Sequence, residues 1–218
     1  MNLVAESFAW PFRGSWRSKW AVGVVAVLLL PIAFIPLLGY AVAATRSASL
    51  DRDAGPPPWV VSGRLIADGF WTTLAVLLLT APFALALNPL SSAIEQARLW
   101  HVSDVTLSHV YAYVVAGFLL ALPWGILMLL LMPHSTMSFA TTGNPRDLFD
   151  FPAAVRGVTR DFATWNLAAA AIVTAWAVGL AAVGLLCVGV LPGVFYAILV
   201  SAHASAALKP KDKNSSAR

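Results

Sequence analysis

The chain has 218 residues, of which 59% are hydrophobic and 11% charged, and its mean hydropathy is +0.77. Soluble domains carry about 25% charged residues, so this composition describes an integral membrane protein and excludes a soluble enzyme or a disordered chain. The net charge of +4 is a topology signal in such a chain rather than a mark of nucleic-acid binding, and no nucleic acid is expected among its partners.

In chain order, residues 1–19 read as an N-terminal amphipathic juxtamembrane segment, with Arg13, Arg17 and Lys19 set among aromatic residues. Residues 20–208 read as a polytopic membrane domain, and 209–218 as a short basic cytoplasmic tail attracted to anionic lipid. Within the membrane domain four runs contain no Asp, Glu, Lys or Arg: 20–45, 69–87, 110–133 and 165–208. A helix crosses roughly 30 Å of hydrocarbon with about 20 residues, so the second and third runs predict single spans. The fourth is about two spans long and divides at 189–193, where Pro192 and two glycines disfavour continuous helix. The first run carries Pro31 and Pro36 in its middle, and each removes a backbone hydrogen bond from an uninterrupted helix, so a break is expected there. Its basic start and Ala41-Val42-Ala43 imitate a secretory signal with a cleavage site, but the run is longer than a signal's apolar core. Its pattern also recurs near the C-terminus, so the segment is read as retained.

That recurrence is an internal repeat. A shift of 156 positions aligns Trp20-Ala-Val-Gly23 with Trp176-Ala-Val-Gly179, Pro36 with Pro192, Tyr40-Ala41 with Tyr196-Ala197 and Ala48-Ser49 with Ala204-Ser205, without a gap. Two hairpins bent at Pro36 and Pro192 follow. Six membrane segments then put the N-terminus, the 46–68 loop, the 134–164 loop and the tail on one face, which holds 13 Lys and Arg against Arg98 alone on the other. Four plain spans would divide the same residues 8 to 6. Positive residues mark the cytoplasmic side, so the expectation is six segments with both termini cytoplasmic. The first hairpin is too short for two full spans, and its halves are expected to be partly interfacial or re-entrant and covered by the bundle. The fold class is thus an all-α integral membrane bundle of about six segments, including two Pro-bent hairpins related by an internal repeat.

Phe12 and Trp16 ahead of Lys19, the Pro31 and Pro36 break, Leu38-Gly39-Tyr40, Pro57-Pro58-Trp59 and Leu65-Ile66-x-Asp68-Gly69 resemble the prokaryotic membrane-protein family known as domain of unknown function 4013. Gly143-Asn144, Phe149-Asp150-Phe151 ahead of an amphipathic 152–162 stretch, and the 192–196 ending continue the likeness over most of the chain. In that family acidic residues tend to follow the Pro-x-Trp element, where this chain has Val60, Val61 and Ser62. The resemblance implies a multi-pass protein of the prokaryotic cytoplasmic (inner) membrane and brings no established activity with it.

An ion-driven transporter needs ionisable groups within the bilayer. All 10 acids and 14 bases lie outside the charge-free runs, which argues against a proton- or sodium-driven pump. Asp68 comes nearest, just ahead of Gly69-Phe70-Trp71, where it is expected to cap a helix N-terminus and complement its dipole. His101, His109, His134 and His203 have no spacing that sets two ligands on one helical face, so no metal is expected. His203, beside Ala202, Ala204 and Ser205, is a weak candidate for axial ligation of a haem or chlorin; surface-proximal packing is the expected role, and no cofactor is predicted. Cys187 is expected to pack as a small hydrophobe. Gly-x-Ser-x-Gly, a Ser-Lys dyad and a Walker-type loop are all missing, so no catalytic residue is predicted. Tyr40 and Tyr196, each four residues past its repeat proline, stand either to converge on a binding site about a pseudo-twofold axis or to anchor helix ends. The 56–59 Pro-Pro-Pro-Trp element either offers a stiff segment to a partner or anchors the membrane edge.

These absences leave contact as the mode of action. Small residues at 168–171, Gly179, Ala181, Ala182 and Gly184 suit close helix packing. The expected function is a non-catalytic accessory, assembly or structural subunit of a larger membrane complex, or a self-associating scaffold, with membrane lipids, other membrane-protein subunits or itself as partners. The alternative is a passive small-molecule or lipid transporter with a site between the repeat-related breaks, near Tyr40 and Tyr196. A polar cavity there would favour it, and a filled interior would count against it.

Overall fold

The computed structural model describes residues 2–97, 105–184 and 189–208, and among these the regular structure is all helix, with no strand. Arg98, His101, Cys187 and the 209–218 tail lie outside the described residues. The α-helices are α1 (Asn2–Ala9), α2 (Trp16–Leu28), α3 (Leu30–Leu50), α4 (Gly63–Gln96), α5 (Val105–Thr142), α6 (Phe151–Arg160), α7 (Phe162–Ala181) and α8 (Val190–Ala206). Four of them, α3, α4, α5 and α7, are long and apolar enough to cross a membrane, and α8 is apolar but shorter.

The 20–45 run is broken, but not at Pro36. A single residue, Leu29, separates α2 from α3, and Pro31 sits in the first turn of α3, where its missing N–H and fixed φ cost nothing. Pro36 lies inside α3. It removes the hydrogen bond that the Ile32 carbonyl would have accepted, and the helix runs on through it, as α4 does through Pro82 and Pro89. The last run divides into α7 and α8 as expected, yet Pro192 lies in the first turn of α8, after Gly189 at its N-cap, so Pro192 is itself helical.

Helices also extend well past the charge-free runs. The connection between α3 and α4 shrinks to residues 51–62, and α5 continues through His134 to Thr142, where Gly143 takes φ 72° and its N–H bonds Phe139 O at 2.8 Å. Asp150 Oδ1 accepts from Ala153 N at 3.0 Å to start α6, and Asp161 Oδ1 accepts from Thr164 N at 3.2 Å to start α7. α6 buries Ala154 and Val158 and exposes Val155, Arg156 and Arg160, as an amphipathic helix does.

The chain forms two compact units, Met1–Thr73 with Leu130–Arg218, and Leu74–Leu129. In the first, α8 is central and packs on α7, α3 and α2. The arms of the α2–α3 hairpin return on each other, since Trp20 and Tyr40 both reach the Phe195 ring, with centroids 5.8 Å and 6.0 Å away. Glycines let backbones meet: a Cβ on Gly39 would lie 2.0 Å from Leu65 O, one on Gly69 2.0 Å from Ile35 O, and one on Gly193 2.4 Å from Gly179 O. The second unit is an antiparallel pair formed by the parts of α4 and α5 within it, joined by Trp124 Nε1 to Thr80 Oγ1 at 3.1 Å, Tyr113 OH to Asn88 Oδ1, and His109 Nδ1 to Glu95 Oε2 at 3.0 Å. Ile94, Ala112 and Ala116 make its small buried cluster.

Candidate functional site

Asp68 is not a helix cap. Ser62 Oγ accepts from Leu65 N at 3.2 Å, so α4 starts at Gly63 and Asp68 lies a full turn inside it. Its side chain, 9% exposed, pairs instead: Arg46 Nη2 donates to Oδ2 at 2.9 Å, and Arg64 Nε stands 3.9 Å from the same oxygen, one helical turn away. Arg46 Nε also donates to Ala140 O at 2.7 Å. One guanidinium therefore joins α3, α4 and the end of α5, and the carboxylate is held as the partner of two cations. Sequence reading missed this pairing. Its signal was the opposite charges at Arg46 and Asp68, which bracket the end of one charge-free run and the start of the next.

The tyrosines do not converge. Tyr40 is fully buried, donates its OH to Pro57 O at 2.9 Å and stacks on Trp59 with centroids 3.9 Å apart and rings 2° from parallel. Trp59 Nε1 in turn donates to Lys19 O at 3.1 Å, and Lys19 Nζ donates to Pro56 O. The 56–59 element thus clasps the open end of the α2–α3 hairpin rather than standing out toward a partner. Half-buried Tyr196 donates to Phe8 O at 3.1 Å and packs among Phe8, Phe12 and Trp20. The space on which the two were to converge is filled by Trp20, Trp59 and Phe195. Pro36 and Pro192 are helical residues, inside α3 and in the first turn of α8.

His203 is interior rather than surface-proximal. It is fully buried, its Nδ1 is 2.9 Å from Ser7 Oγ, and its ring lies 5.3 Å from that of Trp10. Ser7 donates its own hydrogen to Leu3 O at 2.8 Å, which makes Nδ1 the donor to Ser7 and leaves Nε2 an acceptor without a partner. α1, packed on α7 and α8, covers that side, so a flat macrocycle has no approach to the ring.

Two clefts remain. An apolar one of about 190 Å3 lies between α4 and α5 in the Leu74–Leu129 unit, lined by Phe83, Leu87, Gly117 and Leu120 among others. A polar one of about 210 Å3 lies between the end of α5 and the start of α6, lined by His134, Ser135, Ser138, Thr141, Asp147 and Asp150 among others. The second also went unread. Its signal was a stripe of polar residues at helical spacing beyond Pro133, visible once α5 is carried past the charge-free run. Among the described residues no group of three or more His, Cys, Asp or Glu is placed to hold a metal ion. A family model described as protein of unknown function (DUF4013) matches residues 22–188. No curated protein and no solved structure matches the chain.

Proposed function

The chain belongs to the DUF4013 family of proteins of unknown function, and we propose that it is a non-catalytic, multi-pass protein of the prokaryotic cytoplasmic membrane, serving as an accessory, assembly or structural subunit of a larger complex. The observation that carries this reading is the filled interior at the hairpin ends, where Tyr40, Trp59, Trp20 and Phe195 occupy the position that a transport site would need. With no passage there, activity falls to surfaces. Only 22% of the most apolar window of α4 and 11% of that of α5 is buried, leaving faces for lipid or for neighbouring helices, and Gly117 and Ala121 on α5 leave room for a neighbour's backbone.

Six segments with both termini cytoplasmic remain the topology of choice. What supports it is a set of contacts between the N-terminal segment and the 51–62 connection, which four plain spans would separate by roughly 30 Å of hydrocarbon. Arg13 Nη1 lies 2.7 Å from Asp53 Oδ1, Trp59 Nε1 donates to Lys19 O at 3.1 Å, and Lys19 Nζ donates to Pro56 O. The bonds from Arg46 to Ala140 and from Tyr196 to Phe8 fit either topology. α2 has 13 residues, about 20 Å of helix, so the α2–α3 hairpin is re-entrant, with its apolar tip at Leu28 and Ile32, the latter 84% exposed, set near mid-depth.

Tagged protein extracted in mild detergent is expected to carry stoichiometric partner chains on native mass measurement. A lone monomer or homo-oligomer that moves solutes or lipids in liposomes would overturn the subunit reading. In inside-out vesicles a protease is expected to cut both 51–62 and 143–150; cleavage of one with protection of the other would exclude the six-segment topology.

A further inference from the structure

We propose that the polar cleft between α5 and α6 binds a primary ammonium group. The proposal goes beyond the subunit reading and does not depend on it. His134, Ser135, Ser138 and Thr141 stand along one face of the last two turns of α5, and Asp147 and Asp150 face them from the Pro145–Leu148 turn and the N-cap of α6.

The unused hydrogen-bonding capacity of this cleft includes two carboxylate oxygens and a serine hydroxyl, which can accept as well as donate. Asp147 Oδ2 is taken by Thr142 Oγ1 at 2.5 Å and Asp150 Oδ1 by Ala153 N, which leaves Asp147 Oδ1 and Asp150 Oδ2 without a partner among the described residues. Ser135 is 2% exposed, and its Oγ is buried with no hydrogen-bond partner. A serine inside a helix ordinarily bonds back to a carbonyl of the preceding turn, as Thr141 Oγ1 does to Met137 O; Ser135 does not. A buried hydroxyl left open at the wall of a cleft is a binding group waiting for a partner.

The sign of the charge follows from the same atoms. Two carboxylates face the space, and the carbonyl end of α5 adds partial negative charge. The opposing positive end of α6 is neutralised by Asp150, which takes its Ala153 N–H. Arg64, whose Nη2 lies near Gly143, stands 3.9 Å from Asp68 Oδ2 through Nε and does not line the cleft. A cation is favoured, and an anion is repelled.

The kind of cation follows from geometry. No three-ligand cluster exists here for a bare metal ion. An ammonium carries three N–H donors, matching Asp147 Oδ1, Asp150 Oδ2 and a serine hydroxyl. A quaternary amine has no N–H and is recognised by aromatic cages, and no Phe, Tyr or Trp lines this cleft. The cleft begins at residue 134, immediately past the charge-free run that ends at Pro133, which is head-group depth for a spanning α5. The ammonium therefore comes either from an aminophospholipid head group or from a free small amine.

The test uses full-length protein in phosphatidylcholine nanodiscs, titrated with ethanolamine and, separately, choline, with saturation-transfer NMR as readout. Saturable ethanolamine binding is expected, with choline at least tenfold weaker. Asp147→Asn and Asp150→Asn are each expected to weaken ethanolamine about tenfold, and Ser135→Ala several-fold; Asn keeps the α6 cap, so thermal unfolding should stay near that of the parent. Absence of saturable ethanolamine binding, equal binding of choline, or unchanged binding in both carboxamide variants would overturn the proposal. In nanodiscs containing phosphatidylethanolamine, loss of the free-ethanolamine signal identifies the lipid head group as the occupant, and its persistence identifies a free amine; either outcome supports the site.

Discussion

The two compact units use polar side chains in different ways. In Met1–Thr73 with Leu130–Arg218, long-range polar contacts run largely from side chains to backbone carbonyls of distant segments: Tyr40 to Pro57, Trp59 to Lys19, Arg46 to Ala140 and Tyr196 to Phe8. In Leu74–Leu129 they run from side chain to side chain between two helices, as in Thr80 with Trp124 and Glu95 with His109. The difference follows from backbone accounting. The helices of Leu74–Leu129 run on without a chain break, although Pro82, Pro89 and Pro123 each remove one backbone N–H, so comparatively few of their backbone groups call for a distant partner. A chain that breaks at Leu29 and passes through 51–62 has loose carbonyls, and each donor that finds one fixes the path of the chain. The side chains around Tyr40 and Phe195 are correspondingly buried, whereas Leu85, Phe118 and Leu122 are exposed and need lipid or a partner helix to cover them.

Glycine substitutions give the largest test of that contrast. Gly39→Ala puts a Cβ 2.0 Å from Leu65 O, a backbone atom that cannot rotate away. A loss of more than about 3 kcal/mol is expected, read as a collapse of the folded fraction in detergent on heating. Gly117→Ala in the other unit meets nothing within 4 Å and should be neutral or stabilising by up to about 1 kcal/mol. Equal damage from the two would erase the distinction between the units.

Ion pairs come next. Asp68→Asn leaves Arg46 without its carboxylate in a nearly buried position and should cost about 2–3 kcal/mol in a denaturant titration. Arg46→Met with Asp68→Leu should recover much of that, because the paired charges themselves add little once both are gone. Glu95→Gln weakens the more exposed pair with His109 and should cost less than about 1 kcal/mol. A Glu95 effect as large as that of Asp68 would mean that the side-chain links of Leu74–Leu129 are not optional.

The residues behind these variants also separate what is legible in sequence from what is not. Long apolar runs and their proline interruptions express the all-helical form, because hydrocarbon thickness acts on composition alone. The site of the first break did not follow from composition. Pro31 and Pro36 carry the same local signal, yet Pro31 falls in the first turn of α3 and Pro36 is carried inside it, as Pro82 and Pro89 are inside α4. Asp68 ahead of an apolar run has the same appearance whether it caps or pairs, and what decides it, a helix start at Gly63 and Arg46 on another helix, is set in three dimensions. The acceptors of Tyr40 and Tyr196 are backbone oxygens of Pro57 and Phe8, which every residue type offers and no pattern marks. Ser135, by contrast, stands in register with Ser138 and Thr142 on a helical face; carrying α5 past Pro133 exposes that stripe from sequence alone.

The smallest effect discriminates most finely. Ser7→Ala removes the partner of His203 Nδ1 at 2.9 Å and leaves a fully buried ring with both nitrogens unpaired, so a cost of about 1–2 kcal/mol is expected. Thr80→Val removes the acceptor of Trp124 Nε1 at 3.1 Å, at the edge of an open apolar cleft where the indole can turn to another partner, and about 0.6 kcal/mol is expected, the average for polar links between membrane helices. Both are to be read as shifts in unfolding midpoint in one detergent. A larger shift for Ser7 means that covering the helical core with α1 is specified from within. If Thr80 costs more, then the α4–α5 pair is held by its own polar links, and its exposed faces are free to be read as lipid-facing rather than as surfaces awaiting a partner helix.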